Sequence, residues 1–425
     1  MKRQLIAIAL AAASASAILA SCQRSTPEDA TAAAPTATPA PTATPAPASE
    51  TPKAAPTDLE QLAQRLVTQS AAVKEGEIVY ITGRAQDAEL LENIAVDVRK
   101  LGAWPIIEYG SDRLSKRLFF DVPAQYDAQA DKIGAELAKI VDVSINLANN
   151  TTQDLFEGAD PKRTAARGKA NEPVVQAFLK NNVRNVEVGN DLYPTPWRAE
   201  RYGMAEGALA STFWNGVNID YSELQARGDQ VKAALAAGNE VHITNANGTD
   251  LKVRVQGRPV LVSDGIISAD DIKQGGAAVS VFLPAGEVYT TPVPGTAEGK
   301  VVQTRTFFRG KQVDNLTLTF AGGKATAMTG SGPGYADLKA EYDAVEDARK
   351  DLFGFVDLGI NPKVTLPANS TVGTWVPAGA VTVGTGVNTW AGGDNSVPYG
   401  LTMYLPGSTV MLDGKAIVEK GVLKL

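Results

Sequence analysis

The sequence predicts an α/β N-terminal half with a parallel sheet and a mainly β C-terminal domain. Three observations carry that expectation. From Asp58 to about residue 190 helical and strand patterns alternate, as they do where parallel strands are joined by covering helices. Beyond Glu240 apolar residues recur with period two, punctuated by Asn-Gly, Asp-Gly and Gly-Gly pairs, which are hairpin signals. The 425 residues are 44% apolar and 20% charged, enough for two or three domains with real cores and too apolar for a disordered chain.

The chain opens on an address. Lys2 and Arg3 precede an uncharged apolar run from Leu5 to Ala20, 16 residues long; a helix that spans a bilayer needs roughly 20. The run closes on Leu19-Ala20-Ser21-Cys22, which resembles a bacterial lipobox: small residues admit the signal peptidase and the Cys22 thiol takes the lipid. Cys22 is the one cysteine of the chain. The expectation is a membrane-anchored lipoprotein on the periplasmic or cell-surface side. Gln23, rather than Asp, after the cysteine favours the outer membrane by resemblance to Gram-negative sorting. Ser25–Thr57 then holds eight of the chain's 24 prolines and no aromatic, Leu, Ile or Val. It has nothing to bury and reads as a linker; at about 3.1 Å per residue it reaches up to about 100 Å.

The α/β half begins with Leu59, Leu62, Leu66 and Val67 at helical spacing, and Ile78-Val79-Tyr80-Ile81 is a short apolar strand ended by Gly83. Ala88–Leu101 is a helix pattern leading through Gly102 to a strand over Trp104–Glu108. Ala130–Lys139 reads as helix, and Val141–Leu147 and Val183–Val188 as strands. One bridging helix is expected from about Glu200 to Trp214. In the β half Asn247-Gly248, Asp264-Gly265, Gly322-Gly323 and Asp413-Gly414 mark hairpins, and one helix lies over Ala336–Leu352. The division is thus a leader over 1–21, a linker over 22–57, an α/β domain over 58–238 and a β-rich domain over 239–425.

The inventory of side chains excludes several chemistries. Lys+Arg 40 against Asp+Glu 47 gives −7, and without a basic run nucleic acid is not expected as a partner. There is one histidine, His242, so no His/Cys zinc site can assemble within the chain, and no disulfide either. Cys22 as the anchor leaves no cysteine nucleophile. A Ser-His-Asp triad would have to use His242, which lies in the strand pattern Glu240-Val241-His242-Ile243-Thr244. Gly330-Ser331-Gly332-Pro333-Gly334 lacks a backbone donor at Pro333 and is not followed by Lys-Ser/Thr; it reads as a connector rather than a phosphate loop. A carboxylate pair or an all-oxygen metal site stays open.

Several segments resemble the thermophilic-aminopeptidase family of metallopeptidases, the aminopeptidase T and aminopeptidase S type, which is leucyl aminopeptidase-like. They are Tyr193-Pro194-Thr195, Arg201-Tyr202-Gly203-Met204-Ala205, Val217-Asn218-Ile219-Asp220-Tyr221 and Asn247-Gly248-Thr249-Asp250-Leu251. Asp264-Gly265, Leu283-Pro284-Ala285-Gly286-Glu287-Val288-Tyr289-Thr290-Thr291-Pro292, Gly359-Ile360-Asn361-Pro362 and Leu412-Asp413-Gly414-Lys415 follow in the family's order. The resemblance implies a two-domain aminopeptidase-T-like architecture and a pair of divalent ions held by two glutamates, two histidines, a tyrosine and an aspartate. Such ions polarise the peptide carbonyl and activate water.

Carried over one by one, that ligand set mostly fails. Glu287 stands at the first glutamate. Phe355 takes the second glutamate's place, Thr382 a histidine's, and Thr389 and Trp390 fall near the tyrosine's. Tyr399 and Leu401 stand for the closing histidine and aspartate. Asp357, two residues from the lost glutamate, is the one acid placed to re-ligate. Trp390 and Tyr399, where ligands are missing, are expected to line an aromatic pocket for a peptide or other small ligand. The first functional expectation is therefore a lipid-anchored, catalytically degenerate binding or scaffolding module without a bound cofactor. The alternatives are an active aminopeptidase with a rebuilt site, needing Zn, Co, Mn or Mg, and a solute-binding lipoprotein. The resemblance also raises a homodimer as a partner state.

Overall fold

A computed structural model describes residues 57–368 and 370–425. The leader, Cys22 and nearly all of the linker lie outside the described residues. Asp58 opens the fold by accepting the Gln61 N–H and so caps helix α1 (Leu59–Arg65), which runs on into a π-turn over Leu66–Ser70. Leu62 and Leu66 are buried, as their spacing requires.

The expected alternation is present. Strands β1 (Ile78–Arg84), β2 (Trp104–Gly110), β3 (Val143–Leu147) and β4 (Arg184–Val188) alternate with helices α2 (Ala88–Lys100), α3 (Asp112–Phe120), α4 (Lys132–Ile140) and α5 (Pro161–Lys180). The strands pair in parallel, in the order β2-β1-β3-β4-β8. The fifth strand comes from the other half of the chain: β8 (Ser280–Leu283) pairs with β4. The parallel sheet therefore draws on residues on both sides of position 238.

The bridging segment is two helices, α6 (Pro196–Tyr202) and α7 (Glu206–Val217), because Gly203 takes φ +68° and ends the first. Helix α8 (Tyr221–Ala237) leads into the β half. There β5 (Glu240–Thr244) and β6 (Asp250–Arg254) form the expected hairpin about Asn247-Gly248. Asp264-Gly265 does not turn a hairpin. It carries the chain from β7 (Val260–Ser263) to α9 (Ala269–Gln274), whose start is fixed by a reciprocal Ser268–Asp271 capping box.

Strands β9 (Glu287–Thr290), β10 (Glu298–Phe308), β11 (Lys311–Ala321) and β12 (Lys324–Ser331) follow, then α10 (Tyr335–Ala344). The chain closes with β13 (Phe353–Gly359), β14 (Val381–Gly386), β15 (Gly400–Tyr404), β16 (Thr409–Leu412), β17 (Lys415–Glu419) and β18 (Val422–Leu423). They make an eight-stranded sheet, β12-β11-β10-β6-β5-β16-β17-β18, and a five-stranded sheet, β15-β14-β13-β9-β7. Both are antiparallel throughout. One continuous apolar core runs from Leu62 in α1 to Val418 in β17.

Candidate functional site

The five-stranded antiparallel sheet holds the positions singled out by sequence. In antiparallel pairs, residues directly opposite share a face and alternate residues change face. Ser263 pairs with Glu287 and Leu261 with Tyr289. Glu287 pairs with Gly359, Asp357 with both Tyr289 and Thr382, Phe355 with Gly384, and Tyr404 with Thr382. One face thus gathers Glu287, Tyr289, Phe355, Asp357, Thr382, Thr402 and Tyr404. Glu287 and Thr382 are fully buried and Asp357 is 1% exposed.

Two of the sequence-predicted residues are elsewhere. Leu401 pairs with Thr385, which puts it on the opposite face from Thr382. Tyr399, two residues before it, packs edge-on against Tyr342 of α10 at 5.6 Å. Burial, then the nearby Glu341, pushes the Tyr399 hydroxyl well above its ordinary range. A ligand pair reading Tyr399 and Leu401 therefore does not converge on Glu287; Thr402 and Tyr404 are the β15 side chains that do.

Trp390 does converge, but not as the wall of an open pocket. It sits in a single 3-10 turn, Thr389–Ala391, closed by Gly392 at φ +79°. Asn388 anchors that turn by donating to the Gly354 carbonyl and accepting the Asn395 N–H. The Trp390 ring, 4% exposed, meets Phe355 at 4.8 Å, Tyr289 at 5.1 Å, Trp375 at 6.0 Å and Phe282 of β8 at 6.4 Å. Phe355 stacks on Trp375 at 5.7 Å, and Trp375 meets Tyr404 at 5.4 Å. Gly384 makes room: a Cβ there would lie 2.5 Å from the Phe355 ring. The expected aromatic pocket is a filled aromatic core. With both strand faces covered, these rings gain more by packing on one another than by lining water.

The polar residues at its edge are held from the parallel sheet. After β4, Asn190 and Asp191 take φ +45° and +58° in succession, a left-handed conformation that costs non-glycine residues energy. The kink turns both side chains to use. Asn190 Nδ2 donates to the Pro284 carbonyl at 2.9 Å and to Glu287 Oε1 at 3.3 Å. Asp191 accepts from Trp375 Nε1 at 3.3 Å and from the Tyr404 hydroxyl at 3.1 Å.

These groups do not fit a two-metal centre. Three of the positions considered, Phe355, Trp390 and Leu401, carry no metal-binding donor, and Phe355 and Trp390 pack on other rings. Among the described residues no group of three or more His, Cys, Asp or Glu could hold a metal ion. His242 is a side chain of β5, 2.7 Å from Asp250 Oδ1 across the β5–β6 hairpin.

A family model described as thermophilic metalloprotease (M29) matches residues 56–349, more than half of the chain. The chain belongs to this M29 family. Aminopeptidase PepS of Streptococcus thermophilus is 23% identical over 306 residues, covering 64% of this chain and 70% of that protein. In solved structures, wild-type AmpT from Thermus thermophilus matches with a TM-score of 0.64 and 18% identity, covering 86% of this chain and 99% of its own. The M29 fold is also shared by 2,5-dihydroxypyridine dioxygenase of Pseudomonas putida, with a TM-score of 0.54 and 16% identity over 86% of this chain and 96% of that one. The M29 match includes Glu287 and ends before Phe355, Thr382, Trp390, Tyr399 and Leu401.

Sequence reasoning missed Tyr289, Trp375, Asn190 and Asp191. Tyr289 had a signal, since it lies two residues from Glu287 and a strand presents such pairs on one face. The rest depends on long-range placement. Asp191 and Trp375 are 184 residues apart.

Proposed function

We propose that the chain is a lipid-anchored, aminopeptidase-T-like protein whose hydrolytic centre has been lost and which works as a binding or scaffolding module. The observation that carries this reading is the ring cluster of Tyr289, Phe355, Trp375 and Trp390, whose members Tyr289 and Phe355 share a sheet face with Glu287. Metal-assisted hydrolysis needs several donors around an ion with an open position for water, and these rings supply neither. The anchor half of the reading rests on Cys22 at the end of the lipobox-like run. Among the described residues no helix is long and apolar enough to cross a membrane.

One observation favours a second reading, an active aminopeptidase with a rebuilt oxygen site: Glu287 and Asp357 remain on the same face of adjacent strands. The two readings separate on turnover. Under the first, purified protein hydrolyses amino-acid anilides no faster than buffer, with or without added Zn, Co or Mn. Metal-dependent hydrolysis abolished by Glu287→Ala would establish the second. The anchor is read separately: Cys22→Ser should move the protein from the membrane fraction to the soluble one.

A further inference from the structure

Ten large apolar side chains are exposed among the described residues, and nine of them fall between Val96 and Ile140. Their centre is β2, an edge strand that pairs with β1 alone. Trp104 and Ile106 pair with Ile78 and Tyr80, which puts them on the sheet face that α4 covers. Helix α4 covers it incompletely. Leu137 packs on the cluster of Tyr80, Val141 and Val183, whereas Ile133 and Ile140, on the same helical stripe at spacings of four and three, stay exposed. Trp104 is 58% exposed, Ile140 51%, Ile133 39% and Ile106 36%.

Charge sets this region apart from the rest of an acidic chain. Residues 96–140 carry seven Lys/Arg and seven Asp/Glu against −7 overall. All seven cations are exposed, while of the acids only Asp121 and Glu136 are. The Arg99 guanidinium lies 4.4 Å over the Trp104 ring. The first described helix, α1, lies near the start of β2. Thr57 accepts from Asn218 Nδ2, and Glu60 pairs with Lys100 at 3.3 Å, four residues before Trp104.

We infer that the β2–α4 face rests on the surface of a lipid bilayer bearing anionic headgroups, with Trp104 at the interface. Tryptophan is favoured at the headgroup level, where its ring is buried and its N–H stays wet. Flanking lysines and arginines add attraction to anionic lipid. The inference rests on the anchored reading above in one respect: an anchor leading into α1, whose Glu60 pairs with Lys100 four residues before Trp104, would hold this end of the sheet near the membrane. Two attachments hold better than one, so the face would fix the domain's orientation on its tether.

The test uses full-length protein, purified with its anchor and reconstituted into phosphatidylcholine–phosphatidylglycerol vesicles that contain lipids brominated high on the acyl chain. Part of the tryptophan emission should be quenched. That part should disappear in Trp104→Phe and also in the Ile106→Lys/Ile140→Lys chain, which keeps Trp104. Equal quenching in wild type and Trp104→Phe, or none in either, overturns the inference. So does a Trp104 emission shift that grows with protein density without bromine quenching, which would place a second copy on the β2 edge. If Cys22→Ser fails to release the protein, the anchoring reading alone falls. Wild-type protein mixed with the same vesicles still reports on Trp104.

Discussion

Two groups of aromatic side chains in this molecule meet opposite fates. Around Trp390 four other rings, Phe282, Tyr289, Phe355 and Trp375, pack against one another in the interior, on a sheet whose strand β9 also carries the buried Glu287. Around Trp104 the aliphatic side chains of Ile106, Ile133 and Ile140 stand exposed in a segment whose seven cations are all exposed. The first group belongs to the apolar core. The second stands largely outside that core. The difference teaches that the same residue types serve packing where both strand faces are covered and stand bare where an edge strand leaves its face open.

The comparison breaks most visibly at Trp390. Trp390→Ala leaves a cavity bounded by Phe355, Tyr289 and Trp375, and should cost about 3–5 kcal/mol in a denaturant titration. A loss below 1 kcal/mol, as a solvent-lined ring would give, would reopen the site as a pocket. Glu287→Ala comes next. It removes a buried carboxylate that Asn190 contacts and should cost about 1–3 kcal/mol. Were Glu287 held in strain for catalysis, the substitution would instead stabilise.

At the exposed group the sharper probe is pH. Burial raises the Glu108 carboxyl from 4.5 to about 7, helped by the nearby Asp131 charge and opposed by the hydrogen bond from Tyr80. The folded chain therefore resists an ionisation that the unfolded chain undergoes at lower pH, and stability falls as pH rises through this window. Glu108→Gln should raise Tm above pH 7 and give no gain below pH 4.5. A gain of equal size at both ends would mean packing, not charge, is responsible. The smallest effect belongs to Trp104→Ala, expected to change stability by no more than about 0.5 kcal/mol although it removes the largest exposed ring.

Much of the fold was legible because its signals are local. The apolar runs at Ile78–Ile81 and Trp104–Glu108 needed no partner to be read as strands, and each turn pair at Asn247, Gly322 and Asp413 encodes its own hairpin. Helix α5 was hidden by Gly168 and by Pro173 within it, both of which read as breakers. Strand β8 was legible as apolar sequence, but its place in the parallel sheet is a tertiary fact. The candidate site was half legible. Glu287 and Phe355 fall on the face that matters, whereas Tyr399 and Leu401 miss it by one residue of register. Register along β15 is set by its pairing with β14, and a slip of one residue reverses every side chain. The single histidine, His242, is a count that no choice of alignment alters.

The central claim, that packing has replaced the metal centre, is tested most directly by the metal content of protein purified without chelators and dialysed against Zn, Co and Mn in turn. Too few donors for a closed site predict less than about one equivalent of any ion per chain, with a Tm unchanged by chelator. One or more tightly held equivalents, lost in Glu287→Ala and accompanied by a chelator-sensitive Tm, would contradict it.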